Sequence, residues 1–336
     1  MSSPALVVTP LRLRPLSIGD LLDEGVRLYR HNWIQLVTIA AIVTVPMATL
    51  QFGSTFLSAS AMWPTGTARY SGDALLLLGQ LGQMIVGLID GVLSGLMLGA
   101  MIYVAGQSYL GRRVLTGQAY RYSIRRYLVT LGASILTGLL LFVLLLGSII
   151  PCVGWLGGPP VIAFVMVNLS VLIVPVVMLE GKGVGASMRR SWALAKSQFW
   201  RILLVVVVLY LFGLALVGGP TYAATLLVLL LTQNPALLAF VSVATGALVN
   251  LAATPIQGVC LTLLYYDARV RREAFDLAVL VGDESPPENE RESLFTRSDW
   301  KTLGLLMLVA IPAAGLLLFL WPLFLLGAMG AMRGIP

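Results

Sequence analysis

Charged residues and chemically reactive side chains are scarce in this sequence. Only 11% of its 336 residues are charged, and it contains one His and two Cys. About a quarter of the residues in a soluble domain are usually charged, so an ordinary soluble protein is excluded. A single His also excludes a zinc site of the His-Glu-x-x-His type.

The same scarcity argues against an enzyme. The sequence has no phosphate-binding loop of the Walker A type and no convincing Gly-x-Ser-x-Gly nucleophile motif. Cys152 and Cys260 are predicted at different membrane depths, too far apart for a disulfide, whose Cα atoms lie ~4.4–6.8 Å apart. We interpret both as packing residues. We therefore expect no catalytic constellation, no metal and no cofactor.

Long apolar runs dominate what is present. Hydrophobic residues make up 58% of the chain, and several runs exceed the ~20 residues needed to cross a ~30 Å hydrocarbon core. The sequence therefore predicts an all-α polytopic membrane protein with about six core transmembrane helices, and no removable signal peptide is evident in its first 33 residues. The predicted spans are residues 34–61, 74–110, 128–153, 161–179, 200–231 and 237–266.

Residues 17–33, SIGDLLDEGVRLYRHNW, predict an amphipathic helix directly before the first span. Ser17 and Asp20 form a start that resembles a capping box. At the α-helical period, polar side chains such as Arg27 share one face, and apolar ones such as Leu22 and Trp33 share the other. Such a helix is best accommodated in the membrane interface, with its apolar face towards lipid.

Similar segments recur around residues 117–127 and 184–199, each before a pair of apolar runs. This weak internal repeat predicts three helix hairpins, each preceded by a cytoplasmic amphipathic interfacial helix. The predicted units are an N-terminal cytoplasmic segment, three repeats, an acidic flexible linker, and an additional transmembrane helix with its tail. They cover residues 1–16, then 17–110, 112–180 and 183–280, then 281–300, and finally 301–336.

The basic residues predict an orientation in the membrane. Of the 22 Lys and Arg residues, only Arg69 and Arg333 fall on the side opposite the amphipathic helices. The positive-inside rule therefore places the N-terminus in the cytoplasm and the C-terminus outside a cytoplasmic (inner) membrane. We expect a basic collar in contact with anionic lipid headgroups, formed by Arg112, Arg113, Arg121, Arg125, Arg126, Arg189, Arg190, Arg269, Arg271 and Arg272. Membrane lipids suffice to explain the net charge of +7, with no nucleic acid as a partner.

A second candidate site consists of polar residues inside the predicted spans. Asp90 is the only acid placed near mid-bilayer, and Asn168, Asn250, Thr254 and Gln257 are predicted at comparable depths. Intramembrane carboxylates are costly, so Asp90 is expected to face the bundle within reach of Asn168 or Asn250. These residues form either a midplane polar site or hydrogen-bonded contacts that hold helices together.

Three motifs carry a resemblance to a known family: RPLSIGDLLDEGVRLYRHNW, VPVVMLEGKGVGASMRRSWALAKSQFW and TLLYYDARVRREAFDLAVL. Over roughly residues 11–280 they resemble the bacterial membrane-domain family named after glycerophosphoryl diester phosphodiesterases, and they are similar to YciC-type inner-membrane proteins. The resemblance implies a multi-span membrane domain of ill-defined function, without the soluble phosphodiesterase domain. Ala274 stands where the family pattern implies Gly.

Three functional hypotheses follow. The first is a lipid- or small-solute-handling protein that uses a polar site in the bundle and the basic collar. The alternative is a non-catalytic scaffold or accessory subunit that binds a membrane protein partner through the interfacial helices and the seventh span. A membrane enzyme is the third.

Cysteine labelling tests the predicted topology. In a background without Cys152 and Cys260, Glu288→Cys is expected to react only with a reagent added from the cytoplasmic side, because the linker adjoins the arginine-rich side. Labelling from the outer face would contradict the topology.

Overall fold

The computed structural model describes residues 15–62, 69–148, 153–231, 234–277 and 308, and the regular structure in them is helical. A π-helical stretch, Leu214–Gly218, interrupts the helical segment Phe199–Leu231. The helices are α1 (Ile18–Met62), α2 (Arg69–Tyr109), α3 (Thr116–Gly147), α4 (Val153–Ser170), α5 (Ile173–Glu180), α6 (Val184–Lys196), α7 (Phe199–Gly213), α8 (Gly219–Leu231) and α9 (Pro235–Glu273).

Six segments of these helices are long and apolar enough to cross a membrane. They confirm the prediction of a helical, multi-pass membrane protein. Apart from residue 308, the predicted seventh span lies outside the described residues, as does the acidic linker. The six segments are Ile18–Ser60, Leu77–Tyr109, Thr116–Gly147, Gly157–Glu180, Phe199–Leu231 and Ala236–Glu273.

The three predicted amphipathic segments join their spans in three different ways. In α1 the junction is a kink at Asn32, whose φ and ψ of −114° and 16° are not helical. In α3 the helix continues without a break from Thr116 to Gly147. The third segment, α6, is a separate helix that ends at Lys196, before α7 begins at Phe199.

The α6 helix departs from the predicted placement at the membrane surface. Its buried residues include the consecutive Ser191, Trp192 and Ala193, which point in different directions around the helix. Ser191 donates hydrogen bonds of 3.0 Å to the carbonyl oxygens of Asn168 and Leu169 on α4. The helix is therefore packed into the protein, because its polar side chains find partners there.

The core forms where α9 packs against α1 and α2. At Gly25 in α1, an added Cβ would lie 3.1 Å from the Cys260 sulfur of α9, so the two helices approach closely. At Gly99 in α2, an added Cβ would lie 2.6 Å from Met178 Cε and 2.7 Å from Ser123 Oγ. Glycine at these positions lets helix backbones come together, as small residues do in membrane bundles.

The α9 helix is longer than the membrane is thick. At ~1.5 Å per residue its 39 residues extend almost 60 Å, about twice the ~30 Å hydrocarbon core. It can therefore cross the membrane and continue into a polar region. Its last turns are nevertheless buried, including Leu263, Tyr265 and Asp267, because other helix ends surround them.

A left-handed residue ends α9 and turns the chain back. Ala274 has φ and ψ of 50° and 44°, and its N–H donates to the Val270 carbonyl oxygen. The turn places Phe275 against Tyr266, with ring centroids 5.8 Å apart. Only Gly adopts this conformation without steric cost, which gives a physical reason for the Gly of the family pattern.

Replacing this residue is expected to stabilise the protein. Ala274→Gly removes a Cβ penalty of roughly 1 kcal/mol, partly offset by the larger backbone entropy of Gly in the unfolded chain. Thermal unfolding in detergent should show a higher midpoint. Ala268→Gly, a buried position inside α9, is the matched control and is expected to lower the midpoint. A lower midpoint for Ala274→Gly would contradict the strain argument.

Candidate functional site

One end of the helix bundle carries nearly all the described charges, and we call it the charged end. It comprises the first half of α1, the 110–115 loop with the start of α3, the end of α5, α6, the start of α7 and the end of α9. Hydrogen bonds join these parts: Asn32 of α1 donates to Ser108 of α2, and Arg126 of α3 donates to the Gly181 carbonyl oxygen after α5. Among the described Lys and Arg residues, Arg69 alone lies elsewhere, at the start of α2.

At the centre of the charged end, Glu180 and Arg190 form a buried ion pair. Their side chains are 1% and 2% exposed, and Arg190 Nε donates to both Glu180 carboxylate oxygens at 2.9 and 3.0 Å. Tyr265 of α9 donates its hydroxyl to Glu180 at 2.8 Å. Lys182 Nζ lies 3.3 Å from the same carboxylate. The carboxylate at the end of α5 is thus held by α6, by α9 and by the loop between α5 and α6.

A second carboxylate, Glu273, extends this network along α9. It forms ion pairs with Arg190 and with Arg269, whose Nε lies 3.1 Å from Glu273 Oε2. The Arg269 guanidinium carbon lies 3.8 Å from the ring centroid of Phe275, a cation–π contact. Arg190 therefore bridges a carboxylate on α5 and one on α9.

The charge state of Arg190 follows from these partners. Burial by itself lowers the pKa of Arg190, but the hydrogen bond that Arg190 donates to Glu273 and the charges of Glu180 and Glu273 outweigh it, so the pKa lies above its ordinary value. The guanidinium is therefore permanently protonated. Two guanidiniums and two carboxylates balance at the centre of the network, as buried charges require.

A second cluster fastens the segment before α1 to α7 and α9. Asp267 is buried, and its carboxylate accepts hydrogen bonds of 2.9 Å from the Leu16 N–H and from Arg201 Nε. Arg271 Nε donates to the same carboxylate at 3.1 Å. Both arginines also donate to the Leu16 carbonyl oxygen. Both backbone polar groups of Leu16 are thus bound by side chains of α7 and α9.

Sequence reasoning missed these acidic residues. The basic clusters had been interpreted by themselves, as contacts to headgroups, although Glu180, Asp267 and Glu273 lie beside them in the sequence. The available signal was the presence of acids within otherwise apolar or basic stretches near helix ends. Acids in such positions have basic neighbours with which to pair, and the pairing offsets the free-energy cost of burying both charges.

The structure divides the predicted basic collar into exposed and internal members. Arg190 and Arg269 are only 2% and 5% exposed, so their assignment as headgroup contacts is corrected: carboxylates hold them inside the protein. Arg126 and Arg272 are half-buried and donate to backbone carbonyl oxygens of Gly181 and Ala193. The exposed members are Arg112, Arg113, Arg121, Arg125, Arg189 and Arg271.

The predicted midplane residues are not joined to one another by hydrogen bonds in the described part of the chain. Asn168 is fully buried and donates to the Phe164 carbonyl oxygen at 2.8 Å rather than to Asp90. Asp90 is half-buried on α2. Among the described residues, Asp90 and Asn168 make no hydrogen bond with each other, since the Asn168 amide group donates within its own helix.

The remaining members of that site lie on α9. Asn250 and Gln257 are exposed, and Thr254 is half-buried. A spacing of seven residues puts Asn250 and Gln257 on the same face of the helix. That face points away from the core, whereas Pro255, Gly258 and Val259 point into it, so the described residues do not assemble a polar midplane site.

These observations define the class of the protein as an all-helical, multi-pass integral membrane protein with an ion-paired charged end. Residues 160–311 match the family model described as the membrane domain of glycerophosphoryl diester phosphodiesterase, so the resemblance drawn from the sequence motifs is confirmed over that range. Neither the curated proteins nor the solved structures gave a match. In the ranges the structure describes, no cluster of His, Cys, Asp or Glu is arranged to hold a metal ion.

Neutralising the bridging arginine tests the buried network. Arg190→Met leaves Glu180 and Glu273 short of a positive partner and is expected to destabilise the protein by ~3–5 kcal/mol, as loss of one member of a buried pair does. The adjacent Arg189 is exposed, so Arg189→Met is the matched control, expected within ~0.5 kcal/mol of the parent. Unfolding midpoints in detergent measure the difference. Equal midpoints for the two variants would show that the network contributes nothing to stability.

Proposed function

We propose that the protein is an integral protein of the cytoplasmic membrane that binds and handles anionic phospholipids at its charged end, without catalysing a reaction. One observation carries the proposal: after the internal ion pairs are formed, a set of arginines at this end still has exposed side chains. These are Arg112, Arg113, Arg121, Arg125 and Arg189.

The distribution of basic residues supports a cytoplasmic position for the charged end. Under the positive-inside rule, the end that holds almost all described Lys and Arg residues faces the cytoplasm, and the start of α2 with Arg69 faces outside. We propose the same orientation for the N-terminus, with three helix hairpins crossing the membrane and a seventh span leading to an external C-terminus.

Lipid binding is better supported than passage of a small solute through the bundle. A solute pathway would require polar side chains facing one another between helices. Asn250 and Gln257 instead face away from the core. Asn168 is fully buried, and its backbone carbonyl oxygen accepts a hydrogen bond from Ser191 of α6. We expect the exposed arginines to lie at the level of the headgroups of a surrounding bilayer, because the apolar segments begin or end beside them.

The expected strength of this attraction is moderate and depends on salt. Each basic residue near an anionic membrane surface contributes ~1 kcal/mol, and the attraction decays over a Debye length of ~10 Å at 0.1 M salt. Arg112 also has a partner within the protein. The better positions for testing are therefore the other exposed arginines of α3 and the loop before it, Arg113, Arg121 and Arg125.

Lipid-dependent stability tests the proposal. The purified protein is unfolded by heat in detergent with added phosphatidylglycerol or phosphatidylcholine, at low and high salt. Phosphatidylglycerol is expected to raise the midpoint more, and the difference should shrink with salt and in the triple variant Arg113→Gln, Arg121→Gln, Arg125→Gln.

The single variants Arg69→Gln and Arg121→Gln form a control pair that removes the same charge from opposite ends of the bundle. Only Arg121→Gln should reduce the advantage of phosphatidylglycerol. Equal stabilisation by the two lipids would contradict the proposal and favour the alternative, a scaffold that binds a partner protein.

A further inference from the structure

The kink in α1 is fixed in place by hydrogen bonds to neighbouring parts of the chain. Asn32, the non-helical residue, donates to the Leu28 carbonyl oxygen at 3.1 Å and to Ser108 Oγ on α2 at 2.8 Å. One turn later, Gln35 donates to the Val114 carbonyl oxygen at 2.7 Å. The kink and the loop between α2 and α3 are therefore held at a set distance from each other.

A cavity of about 430 Å³ lies between the kink and this loop. Its lining changes in character along α1: Arg30 and His31 lie before the kink, and Trp33 and Ile34 lie after it. Leu115, at the start of α3, completes an apolar part of the wall. The volume falls within the ~300–1,000 Å³ of typical small-molecule sites.

The basic side chains of this cavity have no competing acidic partner within the described residues. Arg27, one turn earlier, forms an ion pair with Glu24, whereas Arg30 and His31 form none in the part of the chain that is described. Both are exposed and carry N–H donors. They are therefore available to bind an anion.

The apolar part of the wall is also exposed. Trp33 is 53% exposed, Ile34 66% and Leu115 71%, which is unusual for large apolar side chains unless they meet lipid or a ligand. Trp is favoured at the boundary between headgroups and acyl chains. The cavity thus offers donors on one side and apolar contacts on the other, as an amphiphile requires.

We propose that this cavity binds one phosphate-bearing headgroup of a glycerophospholipid, with Arg30 and His31 donating to the phosphate and Trp33, Ile34 and Leu115 contacting the start of the acyl chains. This inference rests on the proposed function and deepens it, because it separates one defined site from the general attraction of the charged end for anionic lipid. Phosphate is the group whose charge and oxygen acceptors fit a guanidinium best.

Native mass spectrometry of the full-length protein in detergent, titrated with phosphatidylglycerol, tests the site. The unaltered protein is expected to retain one tightly bound phosphatidylglycerol. Arg30→Gln and His31→Gln should each weaken that binding, Arg30→Gln by about tenfold or more, the loss expected for one charge-assisted hydrogen bond. Arg30→Lys, which keeps the charge, should restore much of the binding.

The matched control is Arg27→Gln, which removes an exposed charge one turn before Arg30 but does not line the cavity. It should leave the tightly bound lipid in place. If Arg30→Gln and Arg27→Gln weaken binding equally, the defined site is overturned while the general proposal of lipid binding stands. If phosphatidylglycerol binds no better than phosphatidylcholine in any variant, both proposals fail.

A soluble anion distinguishes the two possible sources of the phosphate. Glycerol 3-phosphate or inorganic phosphate at millimolar concentration is expected to displace the bound lipid only weakly, because neither can contact the apolar wall. If inorganic phosphate displaced the bound lipid as effectively as added phosphatidylglycerol does, the assignment to a lipid would be overturned. Trp33→Ala should weaken phosphatidylglycerol binding but leave any binding of inorganic phosphate unchanged.

Discussion

The arrangement of the charged end depends on pairing buried charges. Arg190 is buried, and an isolated charge in such a place would cost several kcal/mol. Glu180 on α5 and Glu273 on α9 remove that cost only if α5, α6 and α9 meet at one point. Apolar faces alone do not choose such a meeting point, because lipid is as good a neighbour as another apolar helix. We therefore infer that the ion pairs select the packing of these helices.

The two parts of the molecule meet different solvents. Along the spans, large apolar side chains such as Leu128 on α3 and Leu230 on α8 are 78% and 82% exposed, a composition suited to lipid and unsuited to water. At the charged end, many backbone and side-chain polar groups are paired within the protein. The hydrogen bonds of the Leu16 backbone with Asp267 and Arg271 are an example. The exposed polar groups that can distinguish one ligand from another therefore lie at the charged end.

Particular residues show how far sequence reasoning reached. The six long apolar segments were predictable from composition and run length, since crossing a bilayer requires both. The departure from the family's Gly at position 274 was noted in the sequence, but only the structure shows that Ala274 adopts a left-handed backbone. The collar was predicted from charge alone, and Arg190 and Arg269 were misplaced because burial depends on partners distant in the sequence. The same limitation affected Asp90 and Asn168, whose neighbours are set by the rotation of each helix about its axis.

The sequence by itself determined the class of the protein, the six long apolar segments found among the described residues and the end at which the basic residues collect. These properties follow from local composition, because each segment meets the hydrocarbon core of the membrane independently of the other segments. The tertiary structure alone decided which charges are internal, which face of α9 is buried, and where the kink at Asn32 opens a cavity beside the start of α3. These features arise from contacts between residues far apart in the chain, such as Leu16 with Asp267 and Arg190 with Glu273, and no local pattern specifies such pairs.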